Sequence, residues 1–449
     1  MSCLRRVLAA CACLLALPAL AGEAGFLRLE GHGGPVKGIA VSPQADRALT
    51  ASFDNALGLW SMPEGHHLGW LEGHEAAANA VVFLPGNRAL SAGDDFRLIL
   101  WDLATRQEIR RYDGHRGKII ALAVSPDGTM AASAGWDGAI GLWQLETGEV
   151  RWLEGHTANV NDVAFGPEGA VLYSAGYDGT LRRWDLNDTS HTPYSVVVSH
   201  GFGLNHLELS AEAGWVAYGA VDGTVRVRDL ATGETLADMT AERKPILALD
   251  LSAAGQLAVG DGEGYIMVID TADWSVERDF RAALRGPIWA LAWEGAGRLL
   301  AGGIADEAAA WPVTERVDSA LFADGPRSFH ADPGEMSNGE RQFMRKCSIC
   351  HSLEPEGGRK AGPTLWGVFG RKAGTLAGYR YSDALIGSPI VWSDATIAQL
   401  FRDGPDVVTP GSKMPVQRIA EEDDRRDLVA FLRARTIPEN GIDAAEKSD

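Results

Sequence analysis

Short runs in which apolar residues take every second position fill the first two thirds of the chain. Gly179-Thr180-Leu181-Arg182-Arg183-Trp184-Asp185 alternates in this way after a turn carrying Tyr177-Asp178-Gly179, and Val163 and Phe165 flank Ala164 likewise. A period of two places successive side chains on opposite faces of an extended chain, so these runs predict half-buried strands. The last third follows a different period. Leu428, Phe431 and Leu432 form a stripe at helical spacing, preceded by Glu421-Glu422-Asp423-Asp424 and closed by Arg433 and Arg435, charges that suit the two poles of a helix. Further upstream, Ser337 followed by Glu340 predicts a capping box, with Gly339 and Phe343 on one face of the helix it opens. The pattern changes near residue 316.

The strands before that point repeat. Gly-His pairs end at His32, His74, His115 and His156 and a Ser-His at His200, giving spacings of 42, 41, 41 and 44 residues. Trp60, Trp101, Trp143 and Trp184 each follow an aspartate by six residues: Asp54, Asp95, Asp137 and Asp178. The frame continues in weaker form through Asp222 to Arg228 and Glu263 to Ile269, and its tryptophan returns at Trp311, making seven units. Units of this length and signature resemble WD40 repeats, each of which builds one four-stranded propeller blade. The resemblance implies an all-beta seven-bladed WD40 propeller over 22–315. Phe26-Leu27-Arg28-Leu29-Glu30, ahead of the first Gly-His, stands where the family places the outer strand of its last blade, a closure that removes an exposed edge.

The repeated polar residues have a structural role by that resemblance. Thr50, Ser91, Ser133 and Ser174 each precede the aspartate by four residues. In the family, His, hydroxyl, Asp and Trp form a hydrogen-bonded set, which spares each group the penalty of burial without a partner. His66-His67, after Pro63-Glu64-Gly65, is expected as a solvated loop pair rather than a metal site, because no carboxylate or cysteine partner can be nominated.

The first 21 residues read as a signal peptide: Arg5 and Arg6, an apolar Val7 to Leu17 too short to span a bilayer, then Ala19-Leu20-Ala21. Leu8-Ala9-Ala10-Cys11 resembles a lipoprotein box that would lipidate Cys11, but it comes early and apolar sequence continues after it. Export, here to a bacterial periplasm, takes the chain to an oxidising compartment. Residues 316–333, with Pro326 and Pro333, read as a linker short enough for the flanking domains to touch, and 437–449 as a polar tail.

Of the five cysteines, Cys3, Cys11 and Cys13 fall in the signal, which leaves Cys347 and Cys350. Cys347-Ser348-Ile349-Cys350-His351 fits covalent haem attachment, with two thiols for the vinyl groups and an adjacent histidine for the iron. A dithiol redox pair or half a zinc site shares the spacing, but no second pair exists to complete a zinc site.

Residues 334–436 resemble an all-alpha class I cytochrome c of the mitochondrial and bacterial c2 type, so the fold class expected is multidomain, propeller then cytochrome. The resemblance implies one haem c, held by Cys347 and Cys350, with His351 and Met414 of Pro410-Gly411-Ser412-Lys413-Met414 as the axial metal ligands. It places the carbonyl of Pro363, in Gly362-Pro363-Thr364-Leu365, as acceptor for the proximal histidine. It also implies that Arg371, Tyr381 and Trp392 surround the inner propionate, with Ser412 adding a hydroxyl nearby. Two positions depart from the family: Leu385 replaces a frequent asparagine, and Phe401 a tyrosine whose hydroxyl usually reaches the methionine sulfur. A drier Met414 side with an altered potential is expected.

Charge adds one distinction. The net charge is -19, yet residues 331–449 hold 16 Lys/Arg against 18 Asp/Glu, so most of the acidity lies on the propeller. That argues against nucleic acid and anionic membrane surfaces as partners. The leading expectation is an exported monohaem electron-transfer protein whose propeller docks a redox protein partner, with no catalytic residue and no membrane span. Two alternatives stay open: a propeller-cytochrome oxidoreductase with its active site in the propeller, and a haem-based sensor of small ligands.

Overall fold

Strands that neighbour each other in sequence pair antiparallel in groups of four, giving seven sheets. The computed structural model describes residues 26–313, apart from 189, 191–192, 211 and 241–243, and residues 336–436, apart from 357–358. The signal segment 1–21, the linker 316–333 and the tail 437–449 lie outside the described residues.

Blade 1 consists of Val36–Val41, Arg47–Ser52, Ala56–Ser61 and His67–Glu72, paired in that order from the axis outward. Blades 2 to 6 repeat this order, and their innermost strands contact one another around the full ring. Blade 7 takes Ile288–Glu294, Arg298–Gly303 and Glu307–Pro312 from the end of the domain and Leu27–Glu30 from its beginning, with Leu27 opposite Ala310. The expected closure is thus observed.

The core lies between blades. Leu49 and Leu57 of blade 1 cluster with Val81, Ile99 and Trp101 of blade 2, and the same layering recurs around the ring. Small residues on the second strands, such as Ala89 and Ala92, let neighbouring sheets approach, and Trp60, Trp101, Trp143 and Trp184 fill the space. An indole of this kind removes on the order of 200 Å² from water, roughly 5 kcal/mol of transfer free energy before entropy is charged.

The polar set forms as the repeat implied. In blade 3 the Ser133 hydroxyl lies 2.7 Å from His115 Nε2 and accepts from Trp143 Nε1 at 2.8 Å, while His115 Nδ1 lies 2.9 Å from Asp137. Blades 1, 2 and 4 reproduce these contacts. Blade 5 is looser: His200 reaches Asp222 through Nε2 at 3.1 Å and packs against Tyr218. The histidine pair needs a correction. Both are exposed as expected and His66 lies in the loop, but His67 opens the fourth strand, pairs with Trp60 and packs beside the rings of Trp60 and Trp70 at 4.9 and 4.3 Å.

Polar groups also meet on the innermost strands. His206 Nδ1 is 2.9 Å from Asp162, and burial, with Asp250 and Asp162 nearby, pushes Glu208 well above the carboxylate range. Burial likewise pushes Asp250 up to about 7 and Lys37 down to about 8.

The second domain contains α1 (Asn338–Lys346), α2 (Asp383–Ile386), α3 (Asp394–Asp403), α4 (Pro405–Val408) and α5 (Glu422–Thr436). α1 crosses α5 at Gly339, where an added Cβ would come 2.1 Å from the carbonyl oxygen of Asp427. Asn338 ties the crossing by donating to Asp424 and Asp427. The cap expected at Ser337 is one-sided. Its hydroxyl accepts from the Glu340 N–H at 3.2 Å, and the reciprocal box forms instead at α3, between Ser393 and Thr396.

Candidate functional site

A cleft of about 1170 Å³, solvent at its mouth included, opens in the helical domain. α1 ends at Lys346, and the chain turns so that Cys347 and Cys350 line one wall and His351 follows. The turn is held by the His351 N–H donating to the Cys347 carbonyl at 2.8 Å. Neither cysteine is in a disulfide, and burial pushes the Cys347 thiol up to about 12 and that of Cys350 upward.

His351 Nδ1 lies 2.8 Å from the Pro363 carbonyl oxygen. A carbonyl can only accept, so Nδ1 carries the proton and Nε2 keeps its lone pair for a metal. Burial pulls the His351 pKa down, which favours this neutral form. Met414 lines the same cleft from the segment after α4, together with Phe401 and Leu385.

The remaining walls are largely apolar, formed by Leu365, Val368, Ile397, Leu400 and Leu432. Polar groups gather where the Arg371, Tyr381, Ser382 and Trp392 side chains line the cleft. Arg371 donates to the carbonyls of Thr364 (2.7 Å) and Trp366 (3.2 Å), which fixes its plane. Ser412 exchanges a 3.1 Å bond with Thr409. The buried Ser382 hydroxyl has no protein partner. An orphaned hydroxyl beside an arginine and a tyrosine, at the end of an apolar slot, suits the carboxylates of an otherwise flat apolar group. With two thiols and a metal-ready imidazole on the walls, the donor set fits haem.

All nine residues picked from the sequence line this cleft. Sequence reasoning missed Ser382, whose only signal was its place in Tyr381-Ser382-Asp383. It also missed Arg359, which reaches Asp54 and Glu72 of blade 1. Among the described residues no group of three or more His, Cys, Asp or Glu side chains could hold a separate metal ion, and no helix is long and apolar enough to cross a membrane.

Fold and cleft together define a c-type cytochrome joined to a β-propeller. Residues 336–436 match the family described as Cytochrome c, and 26–61, 65–102, 106–144 and 148–185 match WD domain, G-beta repeat. The helical domain is similar to cytochrome c of Gibberella zeae, 38% identical over 103 residues that cover 23% of this chain and 96% of the relative. It is also similar to cytochrome c of Chlamydomonas reinhardtii (38% over 117 residues, 26% and 98%) and of Arabidopsis thaliana (39% over 103 residues, 23% and 91%). Through this domain the chain belongs to the cytochrome c family, and residues 26–313 carry WD40 repeats in a seven-bladed propeller. Membership brings one covalently attached haem c and electron transfer, and the propeller is of a class that serves as a protein-interaction scaffold.

Proposed function

We propose that the protein is an exported, periplasmic electron carrier whose propeller docks a redox protein partner beside the haem. The observation that carries the electron-transfer part is the His351–Pro363 bond at 2.8 Å, which leaves Nε2 metal-ready in the cleft that Met414 also lines. In this reading Cys347 and Cys350 tether the haem, and His351 and Met414 hold the iron. Arg371, Tyr381, Trp392, Ser382 and Ser412 would receive the propionates. The haem supplies a one-electron ferric/ferrous couple. His351 and Met414 would both ligate the iron and the apolar walls would keep water out, so that little need rearrange when the charge changes.

Export is supported by residues 1–21 and by the haem-attachment motif, because bacterial haem attachment is completed in the compartment to which export leads. Partner docking is supported by exposed aromatics on the propeller. Trp136 and Tyr177 hold in blades 3 and 4 the turn position that Phe53 holds in blade 1, and are 46% and 56% exposed, with Phe202 close by at 59%. Large exposed aromatics are common anchors of protein interfaces.

The test is the spectrum of the haem-loaded protein. One covalent haem, a methionine-to-ferric charge-transfer band and no carbon monoxide binding at neutral pH are expected. Carbon monoxide binding would favour a sensor, and a second organic chromophore would favour an enzyme.

A further inference from the structure

In blades 2, 3 and 4 the residue after the tetrad histidine donates its backbone N–H to the tetrad aspartate, and that residue is Glu75, Arg116 or Thr157. Blade 1 keeps the bond, from Gly33 to Asp54 at 2.9 Å, but not the side chain. A Cβ on Gly33 would run into the backbone carbonyl of Arg359. The haem domain's backbone therefore occupies the room that the other three blades fill with a side chain.

The Arg359 guanidinium meets blade 1 in three ways. Nε donates to Asp54 Oδ2 at 3.0 Å, Nη2 donates to Glu72 Oε1 at 2.8 Å, and the carbon between them lies 4.2 Å from the centre of the Trp70 ring. The Asp54 side chain has no exposure to water, so its charge-assisted bond to arginine escapes the screening that weakens surface pairs. Asp54 Oδ2 is thus shared by His32 and the Gly33 N–H within the blade and by Arg359 from the other domain. Lys360, the next residue, is attracted by Asp306 of blade 7 and by Asp54, and two residues further on the Gly362 N–H donates to the Cys350 carbonyl at 2.6 Å. The side of the cleft that carries Cys350 therefore faces the seam where the ring closes.

We propose that blade 1 is a dock for this chain's own haem domain, keyed by Arg359 into the space left by Gly33, and that docking shields the Cys350 edge of the haem. The shielding rests on the haem reading above, whereas the dock does not.

The test uses the full-length protein, with Gly33→Glu, which installs the blade 2 side chain, and Arg359→Ala. Blades 2 to 4 fold with Glu, Arg or Thr at this position, and an unchanged far-ultraviolet spectrum confirms folding. Both variants are expected to raise the radius of gyration measured by X-ray scattering. Both should also speed reduction of the ferric haem by ascorbate, one electron per haem, by about threefold or more, as expected for release of a gate. Glu75→Gly in blade 2 should change neither. An unchanged radius in both variants overturns the dock. A larger radius with an unchanged reduction rate overturns the shielding. A wild-type protein without bound haem counts against the functional reading alone, because scattering still decides the dock.

Discussion

The Asp427 carbonyl oxygen stands 2.1 Å from where a Cβ at Gly339 would have to be, so the backbones of α1 and α5 touch with no side chain between them. Gly339→Ala should force the helices apart and lower the stability of the haem domain by about 1–3 kcal/mol, the usual range for overpacking. Denaturant unfolding followed at the haem absorption checks this. The tryptophan fluorescence transition, dominated by the propeller, should stay where it is.

Replacing Met414 tests its place opposite His351. Met414→Ala should retain covalent haem, since Cys347 and Cys350 are intact, but lose the charge-transfer band and acquire carbon monoxide binding. The midpoint potential should fall by on the order of 0.1–0.3 V, within the ~0.8 V that axial ligation spans. Retention of the wild-type potential would reject Met414 as a ligand.

Phe401 is buried and lines the cleft, with no hydroxyl to offer a sulfur. Phe401→Tyr should move the midpoint potential measurably, because a hydrogen bond to a ligand atom changes its donor strength. Redox titration of the two proteins side by side decides it, and identical potentials would remove Phe401 from the account.

The tetrads make the propeller sensitive to acid. Burial raises the Asp178 carboxyl pKa, but Thr180, Thr157 and His156 more than offset this and hold it at about 2, and burial lowers His156. Both groups have folded pKa values below their unfolded ones, so the unfolded chain takes up protons first and stability falls with pH. Loss should begin below about pH 6.5 as His156 protonates in the unfolded state, and steepen between about pH 4 and 2 as Asp178 does. Thermal unfolding by tryptophan fluorescence should show this slope, and Asp178→Asn should flatten its lower part.

Asp250 acts in the opposite sense. Burial raises it to about 7, well above the ordinary carboxylate range, so the folded state holds a proton that the unfolded state releases, and stability falls as pH rises across that window. Asp250→Asn can still accept from the Trp293 N–H, now 2.7 Å from Asp250 Oδ2. It should be more stable than wild type at pH 8, by about 1–3 kcal/mol, and level with it at pH 4. Equal unfolding temperatures at pH 8 would contradict this.

The parts of the molecule that repeat, or that obey a local rule, were legible in the sequence. Period-two runs and the His32-Thr50-Asp54-Trp60 spacing specified blades, because each polar group in a tetrad needs the others. The cleft was legible for a similar reason, since Cys347 to His351 must share one haem. Long-range geometry was less so. Ser382 gives no sign of being orphaned until the fold buries it. Asp162, His206, Glu208 and Asp250 look like ordinary strand residues until adjacent blades bring them together. Glu340 fails to complete its box although the spacing is right, because a capping box also requires the side chain to turn back. Arg359 could have been suspected only by asking why Gly33 stands where Glu75, Arg116 and Thr157 stand in other blades.

Leu27 pairs with Ala310, so the ring is joined by pairing of the first strand of the propeller with its last. A chain made from its N-terminus carries Leu27–Glu30 as an unsatisfied strand until Glu307–Pro312 has been synthesised, and only then can the seventh sheet form. The seam is therefore the last part of the propeller to be secured, and the haem attachment sequence is made immediately afterwards. Assembly has a built-in order, in which the propeller can be complete before there is a haem domain for blade 1 to receive.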